Sequence, residues 1–248
     1  MSSELSNYNL LVIAVSHAIE LAKKGEILKA KYTLDAALEL ADSIDDLKKK
    51  SAAFIQLARA YTLIGDSNKS MELLDSIYEE LKDKNSTDYA LYKLILRSEK
   101  VKLGLAQGRD LLDELERIRS DFERLLLESN NRLDILRYYI AFILILWGPE
   151  IAKTDIKRVE SVLTELVGKY SNLSDDPQYA ELLLFLAEIY VTMGETNRAV
   201  GELKKALRIY CKFASSGEVE DILNFVKERL PDKFNEILQY LHELGFKK

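Results

Sequence analysis

Few side chains in this sequence are placed to do chemistry. The two histidines, His17 and His242, lie far apart, and the single cysteine, Cys211, has neither beside it. A thiolate nucleophile needs an adjacent base, which is missing from this neighbourhood. One cysteine also excludes an internal disulfide and a thiolate metal cluster. Within Arg208-Ile209-Tyr210-Cys211-Lys212-Phe213 it reads as a small half-buried residue on a helix. His17 reads as a packed residue and His242, next to Glu243, as a surface one. There is no His-Glu-x-x-His, Cys-x-x-Cys or Glu-x-x-His pattern, so no metal and no cofactor is expected. Glycine-rich phosphate loops and Gly-x-Ser-x-Gly are also absent. The acidic groups Asp42/Asp45/Asp46, Asp110/Asp113/Glu114 and Asp175/Asp176 fall where periodic segments end or begin. Carboxylates there cap free N–H groups and meet the positive end of the helix dipole. No catalytic residue emerges, and the chain is expected not to be an enzyme. The one alternative is an unannounced enzyme or small-ligand cavity under Trp147.

The basic residues form a more suggestive pattern. Lys93, Arg97 and Lys100 recur at i, i+4 and i+7, which places them on one face of a helix. Arg59 belongs to the corresponding helix before it, and Arg137-Tyr138 opens the corresponding helix after it. Converging on one groove, these six residues would hold an acidic or phosphorylated peptide. Glu99 and other nearby carboxylates offer the competing reading of a solvated, ion-paired face.

The elements that must position these residues are helices. Of 248 residues, 48% are hydrophobic and 31% charged, with 3 prolines and 10 glycines. Such a chain can bury a large core and has few places to break a helix. Apolar residues recur at helical spacing throughout. Helices are expected near 8–24, 27–42, 46–64, 67–83, 87–106, 109–128, 131–147, 153–170, 177–193, 196–213, 218–229 and 232–244. The links between them are short, so neighbours should run antiparallel. The 35 basic residues are outnumbered by 41 acidic ones, for a net charge of −6, which argues against nucleic acid as a partner. Residues 1–9 lack the basic start of a secretory signal, so a cytoplasmic location is expected. The longest apolar run, Tyr138 to Trp147, would span only about 15 Å of a bilayer core of about 30 Å. It reads as a buried helix, and no membrane association is expected.

Three segments repeat one another. The first is Ala18-x-x-Leu21-x-x-x-Gly25-x-x-x-x-Ala30-x-x-x-Leu34-x-x-Ala37. The second runs Phe54-x-x-Leu57-Ala58-x-x-Tyr61-x-x-x-Gly65-x-x-x-x-Ser70-x-x-x-Leu74-x-x-Ile77. The third runs Leu183-x-x-Leu186-Ala187-x-x-Tyr190-x-x-x-Gly194-x-x-x-x-Ala199-x-x-x-Leu203-x-x-Ala206. These resemble the tetratricopeptide repeat (TPR), in which small residues let two helices approach and a glycine turns between them. The resemblance implies an all-α chain of stacked antiparallel hairpins forming a TPR-like right-handed superhelix. About twelve helices would make five hairpins and two further C-terminal helices. A single domain over 1–248 is expected, with a joint near 147–155 and capping helices over 217–248. Gly25 and Gly65 are 40 residues apart, longer than the usual 34. Residues 86–176 keep the helical period but lose the motif.

The resemblance further implies a non-catalytic scaffold that grips a peptide or helix in its groove, with Arg59, Lys93, Arg97, Lys100, Arg137 and Tyr138 as contacts. The Lys and Asn clamp of chaperone-tail binders is not present. The inner face instead reads Ala52, Ile55, Arg59, Thr62 and Leu63 in one repeat, and Glu181, Leu184, Glu188 and Val191 in another. Arg137-Tyr138 is also similar to the phosphate-holding Arg-Tyr pair of 14-3-3 proteins, which implies a phosphopeptide-binding regulator as the alternative. The aromatic end helices, with Tyr210, Phe213, Phe225, Phe234, Tyr240 and Phe246, are expected to cap the stack or to dock a second copy as a homodimer.

Overall fold

The computed structural model describes residues 2–173, 175–213 and 216–246, and all regular structure among them is helical. Twelve rods follow one another: α1 Ser2–Lys23, α2 Ile27–Asp42, α3 Leu47–Leu63, α4 Ser67–Leu81, α5 Thr87–Ala106 and α6 Leu112–Glu128. Then come α7 Leu133–Ala152, α8 Ile156–Lys169, α9 Pro177–Thr192, α10 Thr196–Lys212, α11 Ser216–Arg229 and α12 Phe234–Glu243. A boundary between Tyr139 and Ile140, inside α7, divides the described residues into two compact units.

Local chemistry sets the ends of these rods. Asp46 accepts hydrogen bonds from the backbone N–H groups of Lys48 and Lys49 at 2.9 and 3.1 Å, and Asp176 accepts one from Gln178 at 2.9 Å. Asp110 does the same for Leu112 at 3.3 Å. These carboxylates stand where free N–H groups need acceptors. Helix α3 ends on Gly65, whose φ of +84° only glycine adopts without strain. That turn lets Asp66 N–H reach the Tyr61 carbonyl at 2.9 Å and Gly65 N–H reach Thr62 at 3.0 Å. Gly194 repeats the arrangement after α9, with Glu195 bonded to Tyr190 at 2.8 Å.

One expected break is not a break. Gly148-Pro149 should stop a helix, yet α7 runs through it to Ala152. Proline has no N–H and crowds the carbonyl four residues back. Residues Ile143–Trp147 therefore form a π-helical turn, in which Gly148 N–H bonds the Ile143 carbonyl. This wider turn makes room for the ring. Gly148 itself is pinned, since a Cβ there would stand 2.5 Å from the Phe185 ring and 2.8 Å from the Ile143 oxygen. With 20 residues, α7 is long and apolar enough to cross a membrane, and 56% of its most apolar window is buried within the fold. That burial matches the buried core helix read from its sequence.

In the first unit, Ala18, Ala30, Leu34, Leu57, Ala58, Tyr61, Leu74 and Ile77 are fully or almost fully buried. In the second, Trp147, Leu183, Ala187, Tyr190, Ala199 and Leu203 are likewise buried. Each buried Leu contributes about 1.5–3 kcal/mol. A second device recurs. Tyr61 donates its hydroxyl to Asp35 on the second helix of the preceding hairpin. Tyr139 does so to Glu123 on α6 at 2.7 Å, and Tyr190 to Glu160 on α8 at 3.3 Å. The stretch that loses the repeat motif thus keeps the repeat's tyrosine–carboxylate clasp.

Candidate functional site

The turn glycines give a common register. Aligning Gly65, Gly108 and Gly194 places Arg59, Lys102 and Glu188 at one position of α3, α5 and α9, and Leu63, Ala106 and Thr192 at another. In the first unit these positions frame a cavity of about 350 Å³ between α3, α4 and α5. Ala58, Thr62, Leu63, Ser70, Leu74, Leu103 and Ala106 line it, with Arg59, Glu99 and Lys102 at its polar edge. Ala58 leaves the space that a larger residue would fill, and Ser70 Oγ accepts a hydrogen bond from the Thr62 hydroxyl at 3.0 Å. Leu63 stands beside the opening with 64% of its surface exposed. Arg59 crosses to α5 and donates two hydrogen bonds to one carboxylate oxygen of Glu99, the one from Nε at 2.9 Å. The Arg59 side chain is half exposed, whereas that of Glu99 is largely buried.

The expected basic stripe lies elsewhere. Arg97 takes the position that the motif gives to Phe54 and Leu183, so it points at its own hairpin partner. It donates to Glu114 at 2.8 and 3.0 Å and to Asp121 at 2.6 Å. Burial opposes its charge, but those two carboxylates outweigh it and hold its pKa above the ordinary value. Lys100, at the position of Leu57 and Leu186, faces the preceding hairpin. It pairs with Asp75 and lies 4.5 Å from the Tyr78 ring centroid. Lys93 donates to the Lys82 carbonyl at 3.0 Å. Lys93 and Arg97 line a separate cavity of about 200 Å³ between α4, α5 and α6, together with Asp121, Arg124 and Glu128. The three cations and Arg59 therefore do not converge. Arg137 and Tyr138 are exposed on α7 and line neither cavity. The Tyr92 hydroxyl has its pKa raised, chiefly by burial.

Lys102 was missed by counting helical spacing from Lys93. Counting back from the turn at Gly108 would have found it.

Trp147 is fully buried, and its neighbour Gly148 has no room for a methyl group. Among the described residues no group of three or more His, Cys, Asp and Glu could hold a metal ion. Burial pushes the Cys211 thiol pKa up, the opposite of what a reactive thiolate needs. Of the C-terminal aromatics, Tyr210 is buried with its pKa pushed up to about 12, and Phe225, Phe234, Tyr240 and Phe246 are half-buried. Only Phe213 among them is largely exposed.

The architecture has solved counterparts. A structure of kinesin-light-chain-type, nearly identical TPR-like repeats from Podosopora anserina matches with a TM-score of 0.51 and 16% identity. The match covers 84% of this chain and 97% of that one. A single-substitution variant of those repeats gives a TM-score of 0.52 at 16% identity, covering 84% and 98%. BtubC (BKLC) from P. vanneervenii gives 0.53 at 16% identity, covering 86% of this chain and 92% of that one. The fold is that of TPR-like helical repeat proteins. No protein-family model matches the chain, and no curated protein does.

Proposed function

We propose that this chain is a non-catalytic protein-interaction module whose binding site is the pocket between α3, α4 and α5. The observation that carries this reading is an apolar cavity of about 350 Å³ opening beside the exposed Leu63 and edged by Arg59 and Lys102. An apolar side chain of a peptide or helix fills the cavity. A carboxylate next to it takes Arg59 away from Glu99 or meets Lys102. The partner is thus a protein segment with a bulky apolar residue beside an acidic one, and the module works in the cytoplasm. A phosphate reader fits less well, because Arg97 and Lys100 already hold carboxylates.

Selection from a random-peptide phage library tests the reading, with Leu63→Asp protein as the counter-target. Enrichment of apolar–acidic peptides that bind the native protein and not the variant is expected. Peptides that bind both equally would reject the site. A cavity of this volume is also within the lower range of small-ligand pockets. Thermal stabilisation by small molecules, abolished by Leu63→Asp, would favour that second reading.

A further inference from the structure

Among the described residues the outward face of α1 is left uncovered, and it is built like a face that is covered. Residues 5–16 contain no Asp, Glu, Lys or Arg, in a chain that is 31% charged. Within this stretch Leu10 and Ile13 are 49% and 65% exposed. Asn9, Leu10, Ile13, Ser16, His17 and Glu20 form one stripe about a third of a turn wide. All six are exposed.

The repeat register identifies what this stripe is. Helices α1 and α3 bury the same positions toward their own hairpins: Leu11, Val15 and Ala18 correspond to Ser51, Ile55 and Ala58. Helix α3 buries three more, Ala53, Leu57 and Ala60, and it packs on α1 and α2. Helix α9 buries the same three as Leu182, Leu186 and Ile189. In α1 they are Ile13, His17 and Glu20, and they face solvent. The stripe is therefore the continuation of the hairpin-docking interface already used inside the chain.

We propose that this face of α1 docks the same face of a second copy, with the two helices antiparallel about a two-fold axis at Ile13. In that arrangement Ile13 meets its own counterpart, Leu10 meets Ser16, and Asn9 meets His17 with complementary hydrogen-bonding groups. Glu20 falls opposite position 6 of the partner helix, within the uncharged stretch 5–16. A parallel pairing would instead oppose Glu20 to Glu20 and the Lys23-Lys24 pair to itself. Interfaces shed charge from their centre, as this stripe does. An antiparallel copy of itself is the occupant that meets this stripe, uncharged but for Glu20, without opposing like charges.

Sedimentation equilibrium of the full chain across micromolar concentrations is the test. Reversible dimers are expected, becoming monomers in Ile13→Glu with an unchanged helical circular dichroism spectrum. The register is read by disulfide trapping in a Cys211→Ser background. Ile13→Cys crosslinks on oxidation, whereas Glu20→Cys does not, since its counterparts are separated by about 21 Å along the helix axis. A chain that stays monomeric throughout overturns the proposal. So does a dimer that survives Ile13→Glu, dissolves only on Phe213→Ser, or crosslinks through Glu20→Cys as readily as through Ile13→Cys.

Discussion

The hairpins α3/α4 and α9/α10 are the same object with opposite surfaces. Their packing residues correspond one to one: Ala58 with Ala187, Tyr61 with Tyr190, Ser70 with Ala199 and Leu74 with Leu203. Both end their first helix on a glycine with φ near +80°, and both hold the tyrosine on a carboxylate of the preceding hairpin. The positions facing out of the helix pair differ in every useful respect. Arg59 becomes Glu188, Thr62 becomes Val191, and the exposed Leu63 becomes Thr192. Arg59 holds the Glu99 carboxylate, whereas Glu188 has its own pKa raised by burial, with Arg229 pulling the other way. Packing demands are met alike while the chemistry of the outward positions changes, so the two hairpins offer a partner different surfaces on the same frame.

The comparison can be broken first at its shared part. Leu74→Ala and Leu203→Ala each remove a side chain that is 1% exposed, and each should cost about 2–5 kcal/mol. Urea denaturation should show both losses, and a negligible cost for either one would mean that the hairpins are not equivalent.

At the unshared part, Leu63→Asp should weaken a pocket-selected peptide by about 30-fold or more, a loss of about 2 kcal/mol of binding. Thr192→Asp at the matching position of α9 should leave that peptide's affinity unchanged. Titration calorimetry separates the two.

The clasp sharpens the picture for the middle of the chain. Tyr139→Phe should cost about 1 kcal/mol in thermal or urea unfolding, because its hydroxyl is bonded to Glu123.

The smallest effect is electrostatic. Glu188 has a folded pKa above its unfolded value, so its protonated form is the one the fold favours. Its stabilising effect is full below the unfolded pKa of about 4.3 and is lost as pH rises through the folded pKa. Glu188→Gln should therefore be more stable than the native chain at neutral pH by a few tenths of a kcal/mol at most, given its access to solvent. The difference should close below about pH 4.

Helix number, most helix limits and the three repeat segments were legible because they rest on local rules: small residues at crossings, glycine at turns and carboxylates at N-caps. The continuation of α7 past Pro149 was not, because it depends on a π turn that no local pattern marks. The inner-face reading of Arg59, Thr62 and Leu63 placed them together, and they line one cavity. Lys93, Arg97 and Lys100 share a helix face as their spacing requires, but spacing does not say which neighbour that face meets. That is set by the distance to the turn, and Gly108 puts Arg97 against α6 and Lys100 against α4.

If the α3/α4/α5 pocket holds an apolar side chain of a partner, filling that pocket must abolish binding. Ala106 is exposed at its rim, so Ala106→Trp should fill the cavity without disturbing the core. Calorimetric titration of this variant with a peptide selected on the native protein is the most direct measurement. An unchanged melting temperature and a loss of binding are expected, whereas undiminished affinity would mean that the partner does not enter this pocket.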